Sequence, residues 1–172
     1  MNRIYFTSDN HFGHEFLAKK HGFETAEEFN KYQIEQWNSV VDNGDRVYHL
    51  GDFIWNKVDA EPILKQLNGE KYLVLGNHDR IGKHNENVFL KYVRWAKDVF
   101  MLKIKNGENI PSTKIWLSHY RHETWPNQHH ISFHFFGHEH AGNACAHYTP
   151  RTDIARRFDV SAEGNGFKPY SF

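Results

Sequence analysis

Fourteen of the 172 residues are histidine. Several stand beside Asp or Asn just past short apolar runs, and five places share this form. Residues 4–8 lead into Asp9-Asn10-His11, and residues 47–50 into Gly51-Asp52. Residues 72–75 lead into Gly76-Asn77-His78-Asp79, residues 115–118 into His119, and residues 131–136 into Gly137-His138-Glu139-His140. Imidazole is the commonest protein metal ligand and the side chain that titrates nearest neutral pH. Mixed with carboxylates it suits Mn, Fe, Zn, Co or Ni without choosing among them. Asp9, His11, Asp52, Asn77, His119, His138 and His140, beside His78 and Asp79, offer enough donors for two ions. Two such ions about 3.5–4 Å apart can clamp a phosphoryl group, activate water and stabilise a leaving oxygen. Taken singly, each motif also reads as an ordinary turn. The signal lies in their joint occurrence, each after an apolar strand. His21, His84 and His147 read as histidines without a special role, and His49, inside a strand, as a packed group behind the site.

Those side chains converge only if the strands lie side by side. In open α/β sheets, ligands sit beyond the carboxyl ends of the strands. Residues 3–8 read as a buried strand, and 14–21 as a short helix ended by Gly22. Thr25-Ala26-Glu27-Glu28 has the form of a capping box. It opens a helix whose Ala26, Phe29, Gln33, Trp37 and Val40 share a core-facing stripe. Residues 42–45 are a turn, 47–50 a strand, and a helix begins near Asp59 with Pro62 in its first turn. A strand follows at 71–75, and the apolar pattern of Val88, Phe89, Tyr92, Val93 and Trp95 predicts a helix over 86–97. Residues 99–105 and 112–118 form a hairpin, with further strands at 131–136, 158–161 and the C-terminus; 121–130 and 141–157 read as loops. An αβ front half and a β-rich back half predict two packed sheets with helices outside. In extended backbone, Asp9 and His11 would reach one point while Asn10 faces away, and His138 and His140 would share one side.

Composition narrows the classes. The length predicts a single domain over residues 1–172. With 39% apolar and 16% aromatic residues, the chain is globular rather than disordered. The 21 basic residues balance the 21 acidic ones, so no global charge directs it to nucleic acid or membrane. A nuclease would need a local basic groove, for which Arg151, Arg156 and Arg157 are the candidates, with plain surface charge as their other reading. Cys145 is alone, which excludes an internal disulfide and a cysteine-rich zinc module. No apolar run nears the roughly 20 residues that span a bilayer, and the first residues lack a signal-peptide pattern. The expected location is the cytoplasm.

The series Asp9-x-His11, Gly51-Asp52, Gly76-Asn77-His78-Asp79, His119 and Gly137-His138-Glu139-His140 resembles the calcineurin-like metallophosphoesterase superfamily. It covers residues 4 to about 140. Asp9-Asn10-His11-Phe12-Gly13-His14 and Val47-Tyr48-His49-Leu50-Gly51-Asp52-Phe53 are similar to the small single-domain bacterial and phage phosphoesterases. The resemblance implies a two-sheet αββα sandwich, mixed sheets with helices on the outer faces, and two divalent metal ions, Mn favoured over Fe, Zn, Ni or Co. It implies that Asp9, His11 and His140 hold one ion, Asn77, His119 and His138 the other, and that Asp52 bridges them. It further implies that His78 touches the phosphate and protonates the leaving oxygen, that Asp79 orients the His78 ring, and that a metal-bridging hydroxide attacks in line. The Gly-Asp-x-x-Asp-Arg-Gly of the protein Ser/Thr phosphatases is replaced here by Gly51-Asp52-Phe53-Ile54-Trp55-Asn56-Lys57, which speaks against a phosphoprotein substrate. His14, Arg80, Arg121 and His122 are the candidate substrate contacts. The expected function is hydrolysis of a phosphate ester, a phosphodiester of a nucleotide or small organic phosphate before a phosphomonoester. A metal-binding scaffold without catalysis is the alternative of another class.

Overall fold

Neighbouring residues on a strand face opposite ways, and here the two faces bury different partners. The computed structural model describes residues 2–55, 58–79, 83–130, 132–140 and 156–172, and the side chains of 83–87 are left aside. Four strands form the parallel part of the first sheet: β1 (Ile4–Thr7), β2 (Arg46–His49), β3 (Glu70–Val74) and β4 (Val93–Lys97). The C-terminal β9 (Tyr170–Ser171) pairs antiparallel with β1, giving the order β4-β3-β2-β1-β9. The second sheet runs β5 (Val99–Ile104), β6 (Thr113–Ser118), β7 (Ser132–Phe136), β8 (Arg157–Asp159). β5 and β6 form the expected antiparallel hairpin, while β6, β7 and β8 run parallel.

Alternation along the strands decides the layers. Tyr5, Val47 and Leu73 face Trp37, Leu64 and Phe89 of the helices, whereas Phe6, Tyr48 and Val74 face Leu102, Ile115 and Leu117 of the second sheet. Helix α2 (Ala26–Asn38) buries Ala26, Phe29, Gln33 and Trp37, the predicted stripe. The Thr25 side chain accepts the Glu28 amide at 3.2 Å, but Glu28 Oε2 accepts from the Glu24 amide at 3.1 Å, so the return arm of the cap reaches one residue further back. Helices α1 (Glu15–Lys20) and α3 (Glu61–Leu64) are short, and α3 carries Pro62 at its start. The described α-helices lie on the first sheet's side. The outer face of the second sheet, with Trp116 and His134, is covered by the loop that carries His122 and Trp125. The architecture is thus a mixed α/β fold of two mixed sheets.

The helix predicted over 86–97 is corrected. Helix α4 (Lys83–Tyr92) stops at Tyr92, and Val93–Lys97 is strand β4, paired parallel with β3. The apolar spacing of Val88, Phe89 and Tyr92 is helical, but Val93 and Trp95 are a β-branched and an aromatic residue at strand spacing. The open edge of β3 supplies backbone partners that a last helical turn could not better, and Leu75 N–H donates to the Lys97 carbonyl at 2.8 Å.

Candidate metal centre

The carboxyl ends of β1, β2, β3, β6 and β7 meet at one edge of the two sheets. Backbone hydrogen bonds knit these ends together. The Asp9 N–H donates to the Gly51 carbonyl at 2.9 Å, the His11 N–H to that of Asp52 at 3.0 Å, and the Gly137 N–H to that of His119 at 2.9 Å. The two sheets are joined there as well, the His138 N–H donating to Asp9 Oδ2 at 2.9 Å.

Three groups of His and Asp side chains gather at this edge: Asp9, His11 and His140; His11, Asp52 and His78; and Asp52, His119 and His138. Asp52 is common to the last two. Its Oδ2 lies 3.4 Å from His119 Nε2, 3.7 Å from His11 Nε2 and 3.9 Å from His78 Nε2. Asn77 Oδ1 lies 3.0 Å from His119 Nε2. His119 donates Nδ1–H to the Leu50 carbonyl at 2.9 Å, which turns its Nε2 inward, toward Asp52 and Asn77. On the other side, His11 Nε2 and His140 Nε2 approach to 3.2 Å, and Asp9 Oδ1 lies 4.0 and 3.6 Å from them.

The donor set fits cations. Asp9 Oδ1 is buried and has no hydrogen-bond partner among the described residues, although it faces two imidazole nitrogens. Two Nε2 atoms aimed at each other beside a carboxylate make a converging set of lone pairs, which a cation would satisfy. Backbone conformation carries the same message. Asp9 (φ 57°), His11 (φ 45°), Asp52 (φ 54°), His138 (φ 70°) and His140 (φ 49°) are all left-handed, at roughly 1–2 kcal/mol per L-residue. Strain of this kind gathers at functional sites. The extended-backbone reasoning for Asp9 and His11 is therefore corrected: they converge because both residues turn left-handed. Asn10 does face away, to Gln33 and His49 at 2.9 Å each. His138 and His140 do not share a side either; they go to different groups.

Electrostatics divides the cluster. Burial pushes the Asp52 carboxyl up, but the hydrogen bond and charge of His119, with the His78 amide, outweigh it and hold the group at about 2. Burial lowers His11 to about 3 and so keeps it neutral. Burial raises Asp9. His140 is raised by its hydrogen bond to Glu163, against burial.

Two glycines make room. A Cβ on Gly51, itself at φ 98°, would stand 2.5 Å from His119 Nδ1. A Cβ on Gly76 would collide with Asp52 Oδ1 and its backbone nitrogen. Gly76 is therefore needed for close approach rather than for a left-handed turn.

Asp79 differs from the expectation that it orients the His78 ring. Its buried carboxylate accepts from the backbone amides of Asp52 (2.7 Å), Phe53 (2.9 Å) and Gly76 (2.9 Å). Both oxygens are thus used in clamping two loops together. Burial raises this carboxyl to about 6, with the amides pulling the other way. The His78 ring instead lies against Trp55, centroids 4.6 Å apart, and His14 stacks on Trp55 at 3.7 Å. His14 also caps α1, its Nδ1 accepting the Leu17 amide.

The other substrate candidates fall elsewhere. His122 is drawn under its loop, where Nδ1 accepts from Trp116 Nε1 at 3.0 Å. Arg121 is half-exposed and ion-paired with Glu139 at 3.1 Å. Arg80 lies outside the described residues, as do Cys145, His147 and Arg151. Sequence reasoning missed Trp55, Tyr120 and Glu163. Tyr120 donates its hydroxyl to Asn77 Oδ1 at 3.3 Å and packs its ring 4.7 Å from His138. Adjacency to His119 could have flagged Tyr120, and proximity to Gly51-Asp52 could have flagged Trp55. Glu163 had no local signal.

No protein-family model matches the sequence. The chain is 32% identical over 178 aligned residues to the uncharacterized protein MJ1445 of Methanocaldococcus jannaschii, an alignment spanning 99% of this chain and 88% of that one. It belongs to the same family as that protein. The gene 66 protein of Mycobacterium phage L5 is 35% identical over 92 residues, 51% of this chain and 44% of the phage protein. Among solved structures, the protein of unknown function AQ665 from Aquifex aeolicus superposes with a TM-score of 0.68 at 25% identity, covering 99% of this chain and 96% of that one. No helix among the described residues is long and apolar enough to cross a membrane.

Proposed function

We propose that this chain is a metal-dependent phosphoesterase of the calcineurin-like type, with the two-sheet metallophosphoesterase sandwich as its fold. The observation that carries the reading is the position of Asp52, one carboxylate shared by two groups of imidazoles. Asp9, His11 and His140 would hold one divalent cation, and Asn77, His119 and His138 the other, with Asp52 between them. Mn is the first choice, with Fe, Zn, Ni and Co as alternatives, since the donors are nitrogen and oxygen alone. Bound there, two such cations supply Lewis-acid polarisation of a phosphoryl oxygen and make water a stronger acid near neutral pH.

The residues of the chain do the rest. His119 keeps its Nε2 turned inward through the Leu50 carbonyl. Asp79 fixes the loops of Asp52 and His78 to each other. His78, whose Nε2 faces the Asp52 side of the cluster, holds the proton that the leaving oxygen takes. Its ring is held against Trp55. His14, on the other ring contact of Trp55, lines the approach to the phosphate.

A diester is favoured because the site is reachable from solvent: His138 is exposed, and the His78 and His140 side chains are 23% and 31% exposed. An ester carrying two substituents can reach it. Nucleotides and small organic phosphates are the substrate class, with a phosphomonoester as the near alternative. The test is a rate panel with Mn, Zn, Ni and Mg against an aryl phosphate, its diester, and 2′,3′- and 3′,5′-cyclic nucleotides. Mn-dependent diester turnover that EDTA abolishes is the expected result. No turnover of any substrate by protein carrying two ions would overturn the reading and favour a metal-binding scaffold.

A further inference from the structure

His140 is the last described residue of its loop, and its backbone is left-handed. What fixes its ring comes from the far end of the chain. Its Nδ1 lies 3.0 Å from Oε1 of Glu163, in the 3₁₀ turn Ala162–Asn165. That turn is itself anchored beside the centre: the Ala162 N–H donates to the Ser8 carbonyl at 2.9 Å, and Ser161 Oγ lies 3.2 Å from Asp9 Oδ2. The other Glu163 oxygen takes Lys20 Nζ at 3.2 Å, and His21 Nε2 lies 3.7 Å from Oε1. Glu163 is therefore held from two sides while it faces His140.

We propose that Glu163 is a positioning residue for cation binding, its carboxylate holding the His140 proton on Nδ1 so that the Nε2 lone pair faces Asp9 and His11. This rests on the metal reading given above. A carboxylate accepts and cannot donate, so it selects one tautomer and one ring orientation. The opposite arrangement, a proton on Nε2, would aim the N–H at His11 Nε2, 3.2 Å away, and close the group to a cation. Glutamine at 163 would fit the same space, but its amide both donates and accepts, so it would no longer dictate the tautomer.

Two measurements test this. Calorimetric titration with Mn²⁺ should give two ions per wild-type chain. In Glu163→Gln one site should keep its affinity and the other weaken by about 10–100-fold, as for other partners of ligating histidines. Lys168→Met, an exposed change just past the same turn, should bind as wild type does. Nitrogen-15 NMR of histidine rings in the metal-free wild-type protein at pH 8 should find the His140 proton on Nδ1, a result that does not depend on the variant folding. Two unchanged sites in Glu163→Gln, or a proton on His140 Nε2, would overturn the role of Glu163 and leave the metal centre standing. A wild-type chain that binds no Mn²⁺ would overturn both.

Discussion

Asp52 and His78 are where the proposed chemistry is most exposed to test at the scale of single residues. Asp52 meets three imidazole nitrogens at 3.4 to 3.9 Å, and its Oδ1 also accepts the His78 amide at 2.8 Å. Asp52→Asn keeps the shape and the loop contact but removes the charge between the two groups. Loss of an outer partner alone costs about 10–100-fold in metal affinity or activity, so loss of the shared ligand should cost at least about 100-fold in turnover. The far-UV spectrum should stay that of the wild type. Full turnover at full metal occupancy would refute the bridging role. His78→Ala should slow turnover of an alkyl ester by about 10²–10⁴-fold, the usual contribution of a positioned acid. With a nitrophenolate leaving group, which needs no proton, the loss should be much smaller. Because His78 also groups with His11 and Asp52 at ligand distances, the same variant needs a metal count. Two ions retained fits an acid, and one ion lost makes His78 a ligand.

At the scale of elements, the site is made by strand ends and by what the chain does in the next two residues. Five left-handed non-glycine residues lie there, and Gly51 and Gly76 beside them open space for side chains from other loops. Gly76→Ala puts a methyl group onto the Asp52 carboxylate, which accepts the His78 amide, and onto its backbone nitrogen, which donates to the Asp79 clamp. Overpacking of this kind costs about 1–3 kcal/mol. Urea unfolding should show that loss, and calorimetry a fall below two Mn²⁺ per chain. An alanine variant as stable as the wild type would mean that the loop has slack the geometry does not show. The passage from α4 to β4 carries a different lesson. Helical spacing runs to Tyr92, yet β4 pairs along β3, because a free sheet edge outweighs a local preference of a few tenths of a kcal/mol per residue.

Across the whole molecule, two sheets bury one face each against the other and meet at the edge where the donors collect. The outer face of the second sheet holds a buried histidine that serves stability. His134 Nε2 lies 2.9 Å from Ser118 Oγ, and its Nδ1 has no hydrogen-bond partner among the described residues. Burial pushes it down to about 3, against about 6.5 in an unfolded chain. Below about pH 6.5 the unfolded chain therefore takes a proton that the folded one refuses, and this group's share of stability falls toward pH 3. The slope at full linkage is about 1.4 kcal/mol per pH unit. His134→Gln should lose less stability between pH 6.5 and 5 than the wild type in urea unfolding at each pH; equal slopes would show that His134 takes a proton while folded. The sequence by itself determined the strands other than β4, the stripe of α2, the hairpin and which polar residues stand at strand ends, because period-2 and period-3.6 burial are written locally. Only the tertiary structure decided how those residues combine. It sent His138 and His140 to different groups, spent Asp79 on backbone amides, drew His122 away under its loop, set Trp55 against His78, and brought Glu163 from the far end of the chain. Each of these depends on which strands become neighbours and on left-handed turns just past them, and neither has a periodicity to read.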